Sequence, residues 1–116
     1  MSQFSADIGR PNLSINASNA NAAGDEWALP HRPGMVGVVT LNVKLDAGSY
    51  TDLDVALQGA VKNPPVDADF VTLANMTDNA GGTVSADISG FRWFRAKKIA
   101  GTAAGGATLT AHLGFN

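Results

Sequence analysis

The chain has 116 residues, ten of them acidic and eight basic, for a formal net charge of −2. One domain is expected, and no overall field draws in nucleic acid or an anionic membrane surface. There is no cysteine, which excludes disulfide scaffolds, thiolate zinc sites and thiol nucleophiles. Charged residues are 16% of the chain, well under the usual quarter or so, and the abundance of Gly, Ala, Asn and Thr gives a turn-rich, β-type composition.

MSQFSADIGRPN at the start has neither a basic nor an apolar leader region, so export through a secretory signal is not expected. Residues 1 to 34 have no sustained period. NLSINASNANAAGDEW alternates with neither 2 nor 3.6, and Pro30 and Pro33 remove backbone donors from the segment that follows. An extended N-terminal arm is expected, docking through Phe4, Ile8, Leu13, Ile15 or Trp27, because disordered segments seldom carry so many aliphatics and a Trp.

From residue 35 to 116 the period is 2. In MVGVVTLNVKLD, Val39, Leu41, Val43 and Leu45 alternate with Thr40, Asn42 and Lys44, which predicts a half-buried strand. AGSYTD reads as a turn into the strand LDVALQGAV, which Pro64 and Pro65 end. FVTLANM and TVSADI are short strands around the turn TDNAGG, and Ser89-Gly90 turns into FRWFRAKKI. The small-residue loop AGTAAGG then precedes the strand ATLTAHLGF. Successive strands joined by Gly, Asn and Asp turns, with no amphipathic helix, predict an all-β antiparallel β-sandwich or jelly roll. Val39, Leu41, Val43, Leu53, Val55, Leu57, Val84, Ile88, Leu109 and Leu113 are its expected core. With about 82 residues after the arm and no staples, such a core gains from oligomerisation or docking on a larger surface.

Catalytic and metal chemistry find little support. His31 and His112 are far apart and neither has a second ligand at metal spacing. No serine lies in a nucleophile motif, and GTAAGG fits no phosphate-binding fingerprint. Asp67 with Asp69, or Asp46 with Asp52, could meet Ca²⁺, but aspartate in turns usually serves turn formation. No enzyme, no cofactor, and no catalytic or metal residue is therefore expected.

GFRWFRAKKIAG, residues 90 to 101, is unlike the rest, holding four of the eight basic residues beside three aromatics. Basic and aromatic side chains together could track a nucleic-acid strand, but the acidic balance elsewhere supplies no second phosphate contact. On a strand one face carries Phe91, Trp93, Arg95 and Lys97, and the other Arg92, Phe94, Ala96 and Lys98. Arg beside aromatics is the mixture enriched at protein interfaces. Arg92, Trp93, Arg95, Lys97 and Lys98, with Trp27 on the arm, are the expected interface residues.

The order DLDVALQGAV, a Pro-rich turn, FVTLAN, a Gly turn, GFRWFRAKK, a small-residue loop and ATLTAHLGF resembles a group of small virion proteins of tailed bacteriophages. In that group the penultimate strand reads Gly, aromatic, Arg, aromatic, hydrophobic, Arg, Ala, and Gly90 to Ala96 fit throughout. Phe70 stands where relatives often have Trp, and the arm is outside the resemblance. The resemblance implies a jelly-roll capsid cement, or decoration, protein on the outside of a phage head. It further implies the major capsid protein and copies of the chain itself, as dimer or trimer, as partners, with neither nucleic acid nor membrane among them. The alternative is a carbohydrate-binding β-sandwich on a tail or other host-facing appendage, for which Trp27, Tyr50 and Trp93 are the available platform residues.

Overall fold

A computed structural model of the chain describes residues 2–29, 37–88 and 90–115. Its strands in chain order are β1 (Gln3–Ser5), β2 (Asn12–Ser18), β3 (Glu26–Ala28), β4 (Val38–Ala60), β5 (Val71–Met76), β6 (Gly81–Asp87) and β7 (Trp93–Phe115), with a 3-10 turn at Asp67–Asp69. They form one hydrogen-bonded sheet of order β1-β3-β7-β4-β5, with β2 added on β7 and β6 on β4. All pairings are antiparallel except β1 with β3.

The sandwich arises because the β4–β7 ribbon bends over. A 23-residue strand would reach about 75 Å if straight at ~3.3 Å per residue, yet the longest dimension of the molecule is 44 Å. Register shifts interrupt the β4–β7 ladder between Leu45 and Ser49 and between Thr51 and Val55. Gly48 sits there at φ +66°, where a Cβ would stand 2.4 Å from the carbonyl oxygen of Ala104. The bend thus needs glycine for both backbone conformation and space.

One layer contains β6, residues 38–45 of β4, residues 109–115 of β7, and β2. The other contains β5, residues 55–60 of β4, residues 93–98 of β7, then β3 and β1. Val39, Leu41 and Val43 face Leu53, Val55, Leu57, Phe94 and Ala96 in one shared core. The period of 2 thus places the expected core: Val39, Leu41, Val43, Leu53, Val55, Leu57, Ile88, Leu109 and Leu113 are buried, and Val84 packs half-buried against them.

Three segments differ from the sequence-based expectation. AGSYTD and AGTAAGG are not loops between separate strands; they are the bends of β4 and β7, whose cross-strand pairing continues through them. Turn-forming residues mark a kink equally well when two strands bend together. Residues 2–29, expected as an arm outside the core, carry three strands of the sheet. Leu13 and Ile15 pair with His112 and Ala111 of β7, and Ala6 and Ile15 stand in the core. Register shifts within β2 hide its period, since each bulge moves the inward face by one residue. Pro30, His31 and Pro33 lie outside the described residues.

The second layer is covered on both sides, which is why every residue from Val55 to Ala60 is buried. Its inner face meets the shared core. On its outer face Ala60, Phe70 and Trp93 form a second, smaller cluster with Ala28 against it. The segment between β4 and β5 brings Phe70 there, acting as a strap across the sheet.

Candidate interface on the basic-aromatic strand

The first half of β7 lies at the centre of the second layer, between β3 and β4. That position decides the fate of its charges, because a central strand has no free edge and here little free face. Arg95 is 1% exposed. Its Nε donates to Gln58 Oε1 at 2.8 Å, directly across the ladder. Its Nη1 is 2.7 Å from Asp67 Oδ1 and 3.5 Å from Glu26 Oε2. Its guanidinium lies 4.1 Å from the centre of the Phe70 ring. Glu26 is itself buried and accepts from Gln3 Nε2 at 2.8 Å. A buried guanidinium between two carboxylates, an amide and an aromatic face is matched within its own chain.

Asp67, on the strap, is largely exposed. Its hydrogen bond from Arg95, the charge of Arg95 and, more weakly, that of Lys97 hold its carboxyl below the usual carboxylate range. Lys98 is also 1% exposed. Its Nζ donates to Asn21 Oδ1 and to the Gly101 carbonyl, and it sits 5.4 Å from the centre of the Tyr50 ring. Burial lowers its pKa, since desolvation disfavours the ammonium. Burial also raises that of Tyr50, with Asp46 adding to the effect.

The other expected interface residues are placed differently. Trp93 is 8% exposed and donates from Nε1 to Asn63 Oδ1 at 3.0 Å. Trp27 is half-buried, donates to the Leu13 carbonyl at 2.8 Å and stacks on the exposed Phe4 with ring centres 4.9 Å apart. Lys97 is half-buried. Arg92 is half-buried too, just before β7, with its backbone tied to Ala60 and Leu29. Among the described residues, its Nε is a buried side-chain polar atom without a hydrogen-bond partner. The six residues thus separate into Arg95, Lys98 and Trp93, closed off by the chain, and Arg92, Lys97 and Trp27, which reach the surface.

Glu26 and Gln58 carry this site and were not singled out from sequence, and Asp67, weighed only as a Ca²⁺ ligand, serves it as an ion-pair partner of Arg95. Gln58 is legible in retrospect, since it alternates with core residues on the strand opposite Arg95. Glu26 and Asp67 come from distant segments joined only by the tertiary fold. Of the carboxylates weighed for Ca²⁺, Asp69 Oδ2 accepts from the Val66 amide at 2.8 Å and Asp46 Oδ2 from the Thr110 hydroxyl at 2.6 Å, which are turn and cross-strand roles. Among the described residues, no group of three His, Asp or Glu is placed to hold a metal ion.

On the outer face of the other layer, Thr40, Asn42, His112 and Gly114 floor an open cleft of about 380 Å³ rimmed by Arg10 and Pro11. No helix among the described residues is long and apolar enough to cross a membrane.

No protein-family model matches the chain, and no curated protein matches it. Among solved structures, the crystal structure of SPBc2 prophage-derived protein YomS is similar, with a TM-score of 0.55. The match covers 96% of this chain and 99% of that one, at 13% sequence identity. At that identity the likeness is one of fold: this chain and the YomS protein share one all-β architecture from end to end.

Proposed function

We propose that the chain is a structural protein of a bacteriophage particle, a cement protein that binds the outer surface of the head and stabilises the shell. The observation that carries this reading is Arg92. Among the described residues its buried Nε has no hydrogen-bond partner, an unmatched donor of the kind that costs free energy. The half-buried side chain reaches the surface, where a neighbour can meet it. Arg95, three residues further on, has partners from β4, β3 and the strap, so the lack at Arg92 is local. Lys97 is a second half-buried cation, on β7 itself, and charge complementarity favours a neighbour offering acidic groups. The end-to-end likeness to a prophage-derived protein supports the phage setting. A repeating shell then turns a modest affinity per contact into firm attachment.

The test is occupancy. Arg92→Ala should fold as the parent does, yet bind heads at lower copy number and leave them less resistant to heat. Heads that lack the protein but withstand heat as complete ones do would overturn the cementing role. The second reading, a carbohydrate-binding module, is favoured by the cleft at His112, whose Asn42, Thr40 and Arg10 offer the mixed donors and acceptors that sugars need. Glycan binding lost on Asn42→Ala, with no binding to heads, would select it.

A further inference from the structure

We propose that β6 is a seam at which two copies of this chain join edge to edge, continuing the first layer into one sheet across a two-fold axis. Free sheet edges invite pairing, and proteins blunt them with bulges, short strands, charges or proline. Three edge strands here are blunted. β1 is three residues long. β2 carries two register shifts, and Ala17 within it has φ +44°. β5 has a register shift opposite Leu57 and Gln58. β6 has no register shift, and its irregular features stand only at its two ends, Gly81 at φ +89° and the charge of Asp87. Its seven residues, GGTVSAD, pair with β4 in unbroken register from Gly81 to Asp87. Its sequence holds neither proline nor lysine, and its single charge is at the last position.

The ladder shows which backbone groups face outward. Ile88 N donates to the Gly37 carbonyl, in register with the β4–β6 pairs that follow. Hydrogen-bonded and non-bonded pairs alternate in an antiparallel ladder, so Val39 with Ala86 and Leu41 with Val84 exchange bonds. Thr83 and Ser85 then aim their N–H and C=O groups away from β4. Both residues are exposed, and no other described strand pairs with β6.

A second copy of the chain fits this edge. With Ser85 on the two-fold axis, Ser85 meets its own counterpart, and Thr83 lies opposite Asp87 of the other copy. No like charges face each other. Lys44 pairs with Gly81 at the opposite end of β6 from Asp87, so antiparallel joining brings Lys44 of one copy to the end that carries Asp87 of the other. Both are exposed on the same outer face, and their signs are complementary. The seam does not depend on any role in a virion, because it needs only the purified protein.

The experiment uses the full chain. Sedimentation should show a dimer that dissociates on dilution. Ser85→Asp, which sets two carboxylates opposite each other on the axis, should shift it to monomer while leaving the far-ultraviolet circular dichroism of the parent. Since the chain has no cysteine, Ser85→Cys should give one covalent dimer under mild oxidation, the hydrogen-bonded pair distance of about 5.5 Å being within disulfide reach. Thr83→Cys serves as the control, because four residues of strand, about 13 Å, separate it from its counterpart. A parent chain that stays monomeric at every concentration would overturn the seam. So would a Ser85→Cys variant that fails to cross-link, or a Thr83→Cys variant that cross-links equally well.

Discussion

Arg95 shows how position rather than residue type sets the role of a charge. An arginine flanked by aromatics reads as a contact for a partner, and the acidic net charge of the chain favours that reading. The register instead sets Gln58 directly opposite and brings Glu26 and Asp67 from elsewhere to the guanidinium. Removing it should be costly mainly because Glu26, 2% exposed, would be left with an uncompensated buried charge. Arg95→Ala is expected to destabilise the fold by about 3–5 kcal/mol, and Glu26→Gln made in the same chain should recover part of that loss. Equal stability of Arg95→Ala and the parent in denaturant unfolding would show that the network contributes little. Asp67 adds a pH dependence of known sign. Its folded pKa lies below its unfolded one, so its contribution is present above the unfolded value, roughly 4, and is lost as pH falls through the folded value. The acid limb of the stability–pH curve should therefore flatten in Asp67→Asn, while stability at neutral pH falls only slightly, because the Asp67 carboxylate is open to solvent.

At the scale of the element, strands with strict alternation were legible and those whose alternation is broken were not. Val39, Leu41 and Val43 declare their face because a slip of one residue would expose all three. β2 conceals its face behind two bulges, and its buried polar residues Asn12 and Ser14 look like loop residues in sequence. Asn12 in fact ties its own turn to β7, donating to the carbonyls of Asp7, Arg10 and Leu113. Ser14 receives a bond from the Ala96 amide and donates to the Asp25 carbonyl. Deleting residues 1–29 should therefore leave an aggregating, unfolded chain, since it strips β2 and β3 from both halves of β7. A soluble, folded remainder with the β-type circular dichroism of the parent would contradict this. The bend was equally hidden, because Gly48 and its neighbours resemble a hairpin turn. Gly48→Ala should lower the melting temperature strongly, as Ala107 N and the Ala104 carbonyl leave no room for a Cβ and the left-handed φ adds strain. By contrast Gly9→Ala, also at positive φ but with open space around it, should cost only about 1–2 kcal/mol.

The whole molecule is held together by two strands that belong to both layers. In a sandwich of separate sheets, each layer is linked to the other by loops and side-chain packing. Here the β4–β7 ribbon carries its ladder around the bend, from Val39 with Phe115 to Ala60 with Trp93. Neither layer can lose its central pair without loosening the pair of the other. The core has the same property, since Leu41 of one layer and Leu57 of the other belong to one cluster, both fully buried. A cavity made on one side should then be felt equally on both. Leu57→Ala is expected to destabilise by about 2–5 kcal/mol. Amide hydrogen exchange is the measurement that tells where the loss falls. If the molecule opens as one unit, the protection of the amides of Leu41 and Leu113 in the first layer should fall by the same factor as that of Val55 and Phe94 in the second. Protection lost around residues 55–60 and 93–98 alone, with residues 38–45 and 109–115 unchanged, would mean that the bend acts as a hinge between two independently stable layers.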